Sequence, residues 1–159
     1  MPLWHPALVL GTWFGVGLLP VMPGTWASLA ALPCAWTICS LFGRIGLAAA
    51  AVTIFAAGCW ASSRVAEASA VKDPGTIVVD EVAGQWFALL TVALDPLSYF
   101  SAFSLFRVFD IWKPWPVHWA DRHLQGGLGI MLDDLLAAGY AVLVLSVLLA
   151  IGGAIGVRS

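Results

Sequence analysis

Three stretches of this sequence run without a charged residue for long enough to cross a lipid bilayer: Trp26 to Phe42, Ile45 to Ala61, and Leu135 to Val157. The first two hold 17 residues each and the third 23. At about 1.5 Å per helical residue, the shorter runs reach about 25 Å, just enough for a bilayer core. A water-soluble core cannot hide this much apolar surface. Only 10% of the 159 residues are charged and 61% are hydrophobic, whereas soluble domains carry about 25% charged residues. Lipid offers no partner to a bare backbone, so an all-α, polytopic helical membrane protein is expected. Seven Lys and Arg against nine Asp and Glu give a net charge of −2, which supplies no basic field for nucleic acid.

Only Gly43 and Arg44 separate the first two runs, which predicts an antiparallel helical hairpin with Arg44 at its tip. Val82 to Phe106 is harder to read, because Asp95-Pro96 interrupts an otherwise apolar stretch near its middle. As one helix it would carry a proline and an aspartate at mid-membrane, the latter costing about 2.5–3.5 kcal/mol. As two short legs, Val82 to Leu94 and Leu97 to Phe109, it turns in water at Asp95-Pro96. The second reading also gathers every acidic cluster on one face. About three full spanning helices plus a short two-leg hairpin are therefore expected, in a single domain over residues 1–159.

The face with the acids then holds Arg64, Lys72, Arg107, Lys113 and Arg122, against Arg44 and Arg158 opposite. The excess of positive charge makes it cytoplasmic. Trp4, Trp13, Trp26, Trp60, Trp112, Trp115 and Trp119 fall near the same interface, where amphipathic rings anchor. Cys34, Cys39 and Cys59 sit in apolar runs with no metal or disulfide spacing. The first basic residue is Arg44, so no positive region precedes the apolar start and a cleaved signal peptide is not expected.

Four of the nine acids arrive as adjacent pairs, Asp80-Glu81 and Asp133-Asp134, each flanked by apolar residues. Adjacent carboxylates repel, and partial burial worsens the repulsion. A magnesium ion held by carboxylate and phosphate oxygens removes the conflict, whereas the plainer reading is solvated acids at helix starts. Arg107, Asp110 and Lys113 follow at three-residue spacing, so they neighbour one another on a helix. They read either as ion pairs or as an Arg and Lys clamp on a phosphoryl group, with Asp110 orienting the cations. Pro114 and Pro116 predict extended chain beyond them. Upstream, the glycine and proline loop ending in Pro23-Gly24-Thr25, with Ser28, runs into a membrane helix whose N-cap is expected at Thr25. Free amides there suit an anion.

Taken together, these residues resemble the phosphatidylglycerophosphatase A family of bacterial membrane lipid phosphatases. The resemblance rests on Pro23-Gly24-Thr25 with Ser28, on Val79-Asp80-Glu81 with Gly84, and on Phe106-Arg107-Val108-Phe109-Asp110-Ile111-Trp112-Lys113-Pro114-Trp115-Pro116. Gly126-Gly127 leading to Met131-Leu132-Asp133-Asp134 completes it. Ala27 and Ala138 stand where the family pattern has glycine. The resemblance implies Mg²⁺-dependent removal of the terminal phosphate of phosphatidylglycerophosphate, giving phosphatidylglycerol, at the inner face of the bacterial cytoplasmic membrane. On this reading Asp80, Glu81, Asp133 and Asp134 hold the metal. Asp80, Asp110, Arg107 and Lys113 form the catalytic set, and Gly24, Thr25, Ser28, Arg107 and Lys113 bind substrate. A metal-activated water is the favoured nucleophile, with carboxylate attack by Asp80 the alternative. Outside catalysis, the rival is a small transporter or channel subunit using interfacial acids as an ion path. Oligomeric state is not legible.

Overall fold

The computed structural model describes residues 2–71 and 73–156. Lys72 and Arg158, two of the charges weighed for orientation, lie outside them, as does Val157. Among the described residues every regular element is helical: α1 (Pro6–Gly11), α2 (Pro23–Ser69), α3 (Val79–Leu89), α4 (Pro96–Trp112), α5 (Val117–His123) and α6 (Gly126–Gly156), with a 3-10 turn at Val16–Leu18. The all-α expectation is met. Two helical segments, Pro23–Ser69 and Gly126–Ile151, are long and apolar enough to cross a membrane.

α2 is broken at Gly43, whose φ of 68° and ψ of −171° lie outside the helical region. Glycine adopts that conformation without a Cβ penalty. The break reverses the chain. A Cβ on Gly24 would meet the Glu81 carboxylate, while one on Gly58 would lie 3.4 Å from Val79. Both glycines therefore sit against the first turn of α3, although a straight helix would set them about 50 Å apart. Trp86 Nε1 ties the first arm further along by donating to the Ala31 carbonyl at 3.0 Å.

α3 begins where Val78 N–H bonds the Gly11 carbonyl at 2.8 Å, so the N-terminal segment fixes its start. Asp95 accepts from Ser98 N–H at 2.9 Å and caps α4, with Pro96 following. Proline suits this position because the first helical N–H has no partner to lose. At Gly84 three helices converge: an added Cβ would lie 2.7 Å from the Phe106 ring and 3.0 Å from the Asp134 carbonyl. Small residues allow the same closeness elsewhere, with Ala27, Ala31, Ala35, Ala137, Ala138 and Ala141 all buried. The departures at Ala27 and Ala138 thus cost the packing nothing visible.

The distribution of polarity is inverted relative to a soluble protein. Ile45, Leu97, Leu143 and Leu149 are exposed, while Asp80, Gln85, Asp133 and Asp134 are buried. Such an exterior suits hydrocarbon, and such an interior suits a polar site.

Two local expectations need correction. α2 starts at Pro23 with Met22 as its N-cap in the left-handed region (φ 50°), so Thr25 lies inside the helix and is not the cap. Proline at the first helical position moves the start upstream of the residue whose side chain best suits a cap. After α4 the chain does not run extended. Lys113 takes a left-handed conformation (φ 47°), closes the helix through its N–H on the Phe109 carbonyl, and turns directly into α5.

Candidate active site

The helix starts of α2 and α3 and the third turn of α6 meet the end of α4 around a cleft of about 390 Å³. Among the described residues its walls carry six acids, Asp73, Asp80, Glu81, Asp110, Asp133 and Asp134, and two cations, Arg107 and Lys113. That excess of negative charge governs the electrostatics. Asp80, Asp110, Asp133 and Asp134 are all at least nine-tenths buried. Burial first, then the charges of Glu81, Asp133 and Asp73, push the Asp80 carboxyl well above its ordinary range. Glu81 is pushed up to about 7, again chiefly by burial, with Asp110 adding to the rise and Arg107 opposing it.

The four expected metal ligands divide. Asp80, Glu81 and Asp134 each bring a carboxylate oxygen within 4.8 Å of the others. Asp133 instead accepts from Lys113 Nζ at 2.7 Å, and Asp121 accepts from the same ammonium at 2.9 Å. Burial opposes the Lys113 charge, but these two carboxylates outweigh it and hold the ammonium above its ordinary pKa. An ammonium has three donors, so one remains for another acceptor. Arg107 Nη1 pairs with Asp110 and lies 3.8 Å from Glu81 Oε1, while its buried Nε has no hydrogen-bond partner.

The residues present fit a hard divalent cation. Asp80 Oδ1, Glu81 Oε2 and Asp134 Oδ2 are buried and lack any hydrogen-bond partner. Unpaired buried carboxylate oxygens are costly, and an all-oxygen donor set of this kind matches magnesium coordination.

Gly24 and Thr25 line the cleft as expected, Gly24 bringing the α2 backbone directly against Glu81. Ser28 does not reach it; it is fully buried and donates to the Gly24 carbonyl at 3.0 Å, one turn back in its own helix. Asp73 and Asp121 were not singled out from the sequence. Asp73 precedes Pro74-Gly75 in the turn before α3, and that turn chemistry next to the acidic pair was its available signal. Asp121 meets Lys113 only because the chain doubles back into α5.

Fold and cleft together define a class: a small protein, all-helical among the described residues, with two helical segments long and apolar enough to cross a membrane and with carboxylates and cations converging on one cleft. Residues 9–149 match the sequence model of the family described as phosphatidylglycerophosphatase A, and the chain belongs to that family. Phosphatidylglycerophosphatase A of Escherichia coli (strain K12) is 37% identical over 142 residues, covering 84% of this chain and 76% of that protein. The protein of the same name from Haemophilus influenzae (strain Rd) is 42% identical over 144 residues, covering 88% and 86%. A Bacteroides thetaiotaomicron relative, provisionally named phosphatidylinositol-3-phosphatase, is 37% identical over 154 residues, covering 92% and 94%. No solved structure matches. The family resemblance read from the four motifs is borne out.

Proposed function

We propose that this chain is a phosphoric monoester hydrolase that removes the terminal phosphate of phosphatidylglycerophosphate to give phosphatidylglycerol, with Mg²⁺ as cofactor. One observation carries the reading: in a chain of this family, three largely buried carboxylates, Glu81 the most exposed of them, converge beside two cations on the wall of one cleft. The relatives' names share the same chemistry, a phosphate monoester on a phospholipid headgroup.

Asp80, Glu81 and Asp134 would hold the magnesium. Bound there, it would draw charge from the phosphoryl oxygens and acidify a water molecule. The protein's own residues bind and orient. Arg107 offers its unpaired Nε, and Lys113 its remaining N–H, to a phosphate dianion. Asp110 holds the guanidinium, and Asp133 and Asp121 hold the ammonium, so both cations are fixed before substrate arrives. Met22 and Ile111 give the cleft an apolar border suited to a lipid.

In the bilayer, the two arms of α2 and the apolar length of α6 supply three crossings, and α3 with α4 forms a short hairpin that enters and leaves by one face. The antiparallel approach of Glu81 to Arg107 supports this. The exposed rings of Trp4, Trp26, Trp60, Trp112, Trp115 and Trp119 support an interface near the cleft. With Arg64, Arg107, Lys113 and Arg122 on that side, the site faces the cytoplasm of a bacterial inner membrane.

Phosphate release from short-chain phosphatidylglycerophosphate by the purified protein tests the activity. EDTA should abolish it and Mg²⁺ restore it, and Asp80→Asn should nearly abolish it in a protein that still inserts. Undiminished release in EDTA would overturn the metal assignment, and no release under any condition would overturn the function. Orientation is tested separately. With Cys34, Cys39 and Cys59 replaced by alanine, Asp95→Cys should react with an impermeant thiol reagent applied to the periplasmic side.

A further inference from the structure

A second cleft, of about 450 Å³, lies at the opposite end of the helices. Its polar wall is Arg44, just past the Gly43 break, together with Thr91 and Ser98; its apolar wall is Leu97 with Leu145, Leu148 and Leu149. Arg44 Nη2 donates to the Val92 carbonyl at 3.1 Å, which holds the guanidinium across the cleft. Among the described residues no carboxylate lies within ion-pair distance of it. A guanidinium has five N–H donors, and this bond uses one.

Depth sets what the cleft meets. α3 has 11 residues, about 16 Å of helix, roughly half of a bilayer core of about 30 Å. Yet the turn it leads to carries Asp95 and opens onto this cleft. The return leg α4 is longer, 17 residues or about 25 Å, and the arm of α2 that ends at Gly43 reaches about 30 Å, so the headgroups of the opposite leaflet meet this cleft with only slight thinning. An unpaired arginine beside a leucine seam is what such a headgroup would meet, its phosphate on the cation and an acyl chain on the leucines.

We propose that this cleft binds an anionic phospholipid of the leaflet opposite the acidic site, with Arg44 on its phosphate and Leu145, Leu148 and Leu149 along an acyl chain. The choice of leaflet rests on the membrane orientation given above; the binding itself does not. The probe is phosphatidylglycerol added to the detergent-purified protein, with bound lipid counted by native mass spectrometry and phosphatidylcholine as the zwitterionic control. The wild type should hold one phosphatidylglycerol in preference to phosphatidylcholine. Arg44→Gln, which can still donate to Val92, should weaken that binding about tenfold or more. Arg44→Lys should recover part of it, and Lys113→Ala should leave it unchanged. Equal retention of phosphatidylcholine, unchanged binding in Arg44→Gln, or loss in Lys113→Ala would each overturn the proposal. Failure of Asp95→Cys to label from the periplasmic side would overturn the orientation alone and leave the lipid count standing.

Discussion

Gly24→Ala separates the geometry of the cleft from its stability. A Cβ built at Gly24 lies 2.7 Å from Glu81 Cδ and closer still to a carboxylate oxygen. Ordinary carbon contacts sit at about 3.5–4.0 Å, so the carboxylate must retreat by about 1 Å. Glu81 is the end of a flexible side chain, so the fold can absorb the move. The alanine also favours a helical backbone by up to about 1 kcal/mol over glycine. The cleft cannot absorb it, because the displaced oxygens belong to the cluster with Asp80 and Asp134 and lie beside Arg107. A displacement of about 1 Å in such a site costs about a hundredfold in rate. The assay is phosphate release from short-chain phosphatidylglycerophosphate across a Mg²⁺ titration, beside a thermal melt. The expected result is turnover down about a hundredfold with the melting temperature within a few degrees of wild type. Adding Glu81→Asp, which withdraws the carboxylate by one methylene, should do less harm in Gly24→Ala than in wild type, a coupling visible in the double-mutant cycle. Wild-type turnover in Gly24→Ala would refute the reasoning.

Further expectations follow from charge and packing. Because Glu81 is raised to about 7, ionising it disfavours the metal-free fold. Its effect is absent below the ordinary carboxylate range, and stability is lost as pH climbs toward about 7. Asp80, also raised, acts in the same direction. Bound Mg²⁺ needs the ionised forms, so its affinity should rise as pH climbs toward about 7 while the metal-free melting temperature falls; two flat profiles would count against the cluster. Gly127→Ala should destabilise by about 1–3 kcal/mol, since its Cβ would collide with the Cys59 carbonyl and lie 2.7 Å from Ser63 N, both backbone atoms that cannot swing away. An unchanged melting temperature would show that α2 and α6 do not meet there.

Much of the architecture was legible because charge is so scarce in this chain. An uncharged run leaves few alternatives to a helix, and Asp95-Pro96 was legible as a turn because a charge and a proline are costly at mid-membrane; that the pair also caps and begins α4 came from the structure. The acids were legible as a group, but not in their division of labour. Successive helical residues point about 100° apart, yet Asp80 and Glu81 converge on one cluster while Asp133 and Asp134 part, so adjacency alone does not tell which acid of a pair joins the others. That is decided by α4 ending in a left-handed Lys113 and returning through α5, which delivers Lys113 to Asp133 and Asp121. Ser28 was misplaced for a related reason. A serine inside a helix can satisfy itself on the carbonyl four residues back, and its spacing from Gly24 permits that bond as readily as a contact with ligand.

The most direct test of the central claim is metal binding itself, read as Mn²⁺ bound to the purified protein by electron paramagnetic resonance and displaced by Mg²⁺. Wild type should bind the ion in a Mg²⁺-competitive manner. Asp80→Asn and Asp134→Asn should lose it, while Asp133→Asn, whose carboxylate serves Lys113, should retain it. Undiminished binding in Asp80→Asn or Asp134→Asn, or the same loss in Asp133→Asn, would contradict the account.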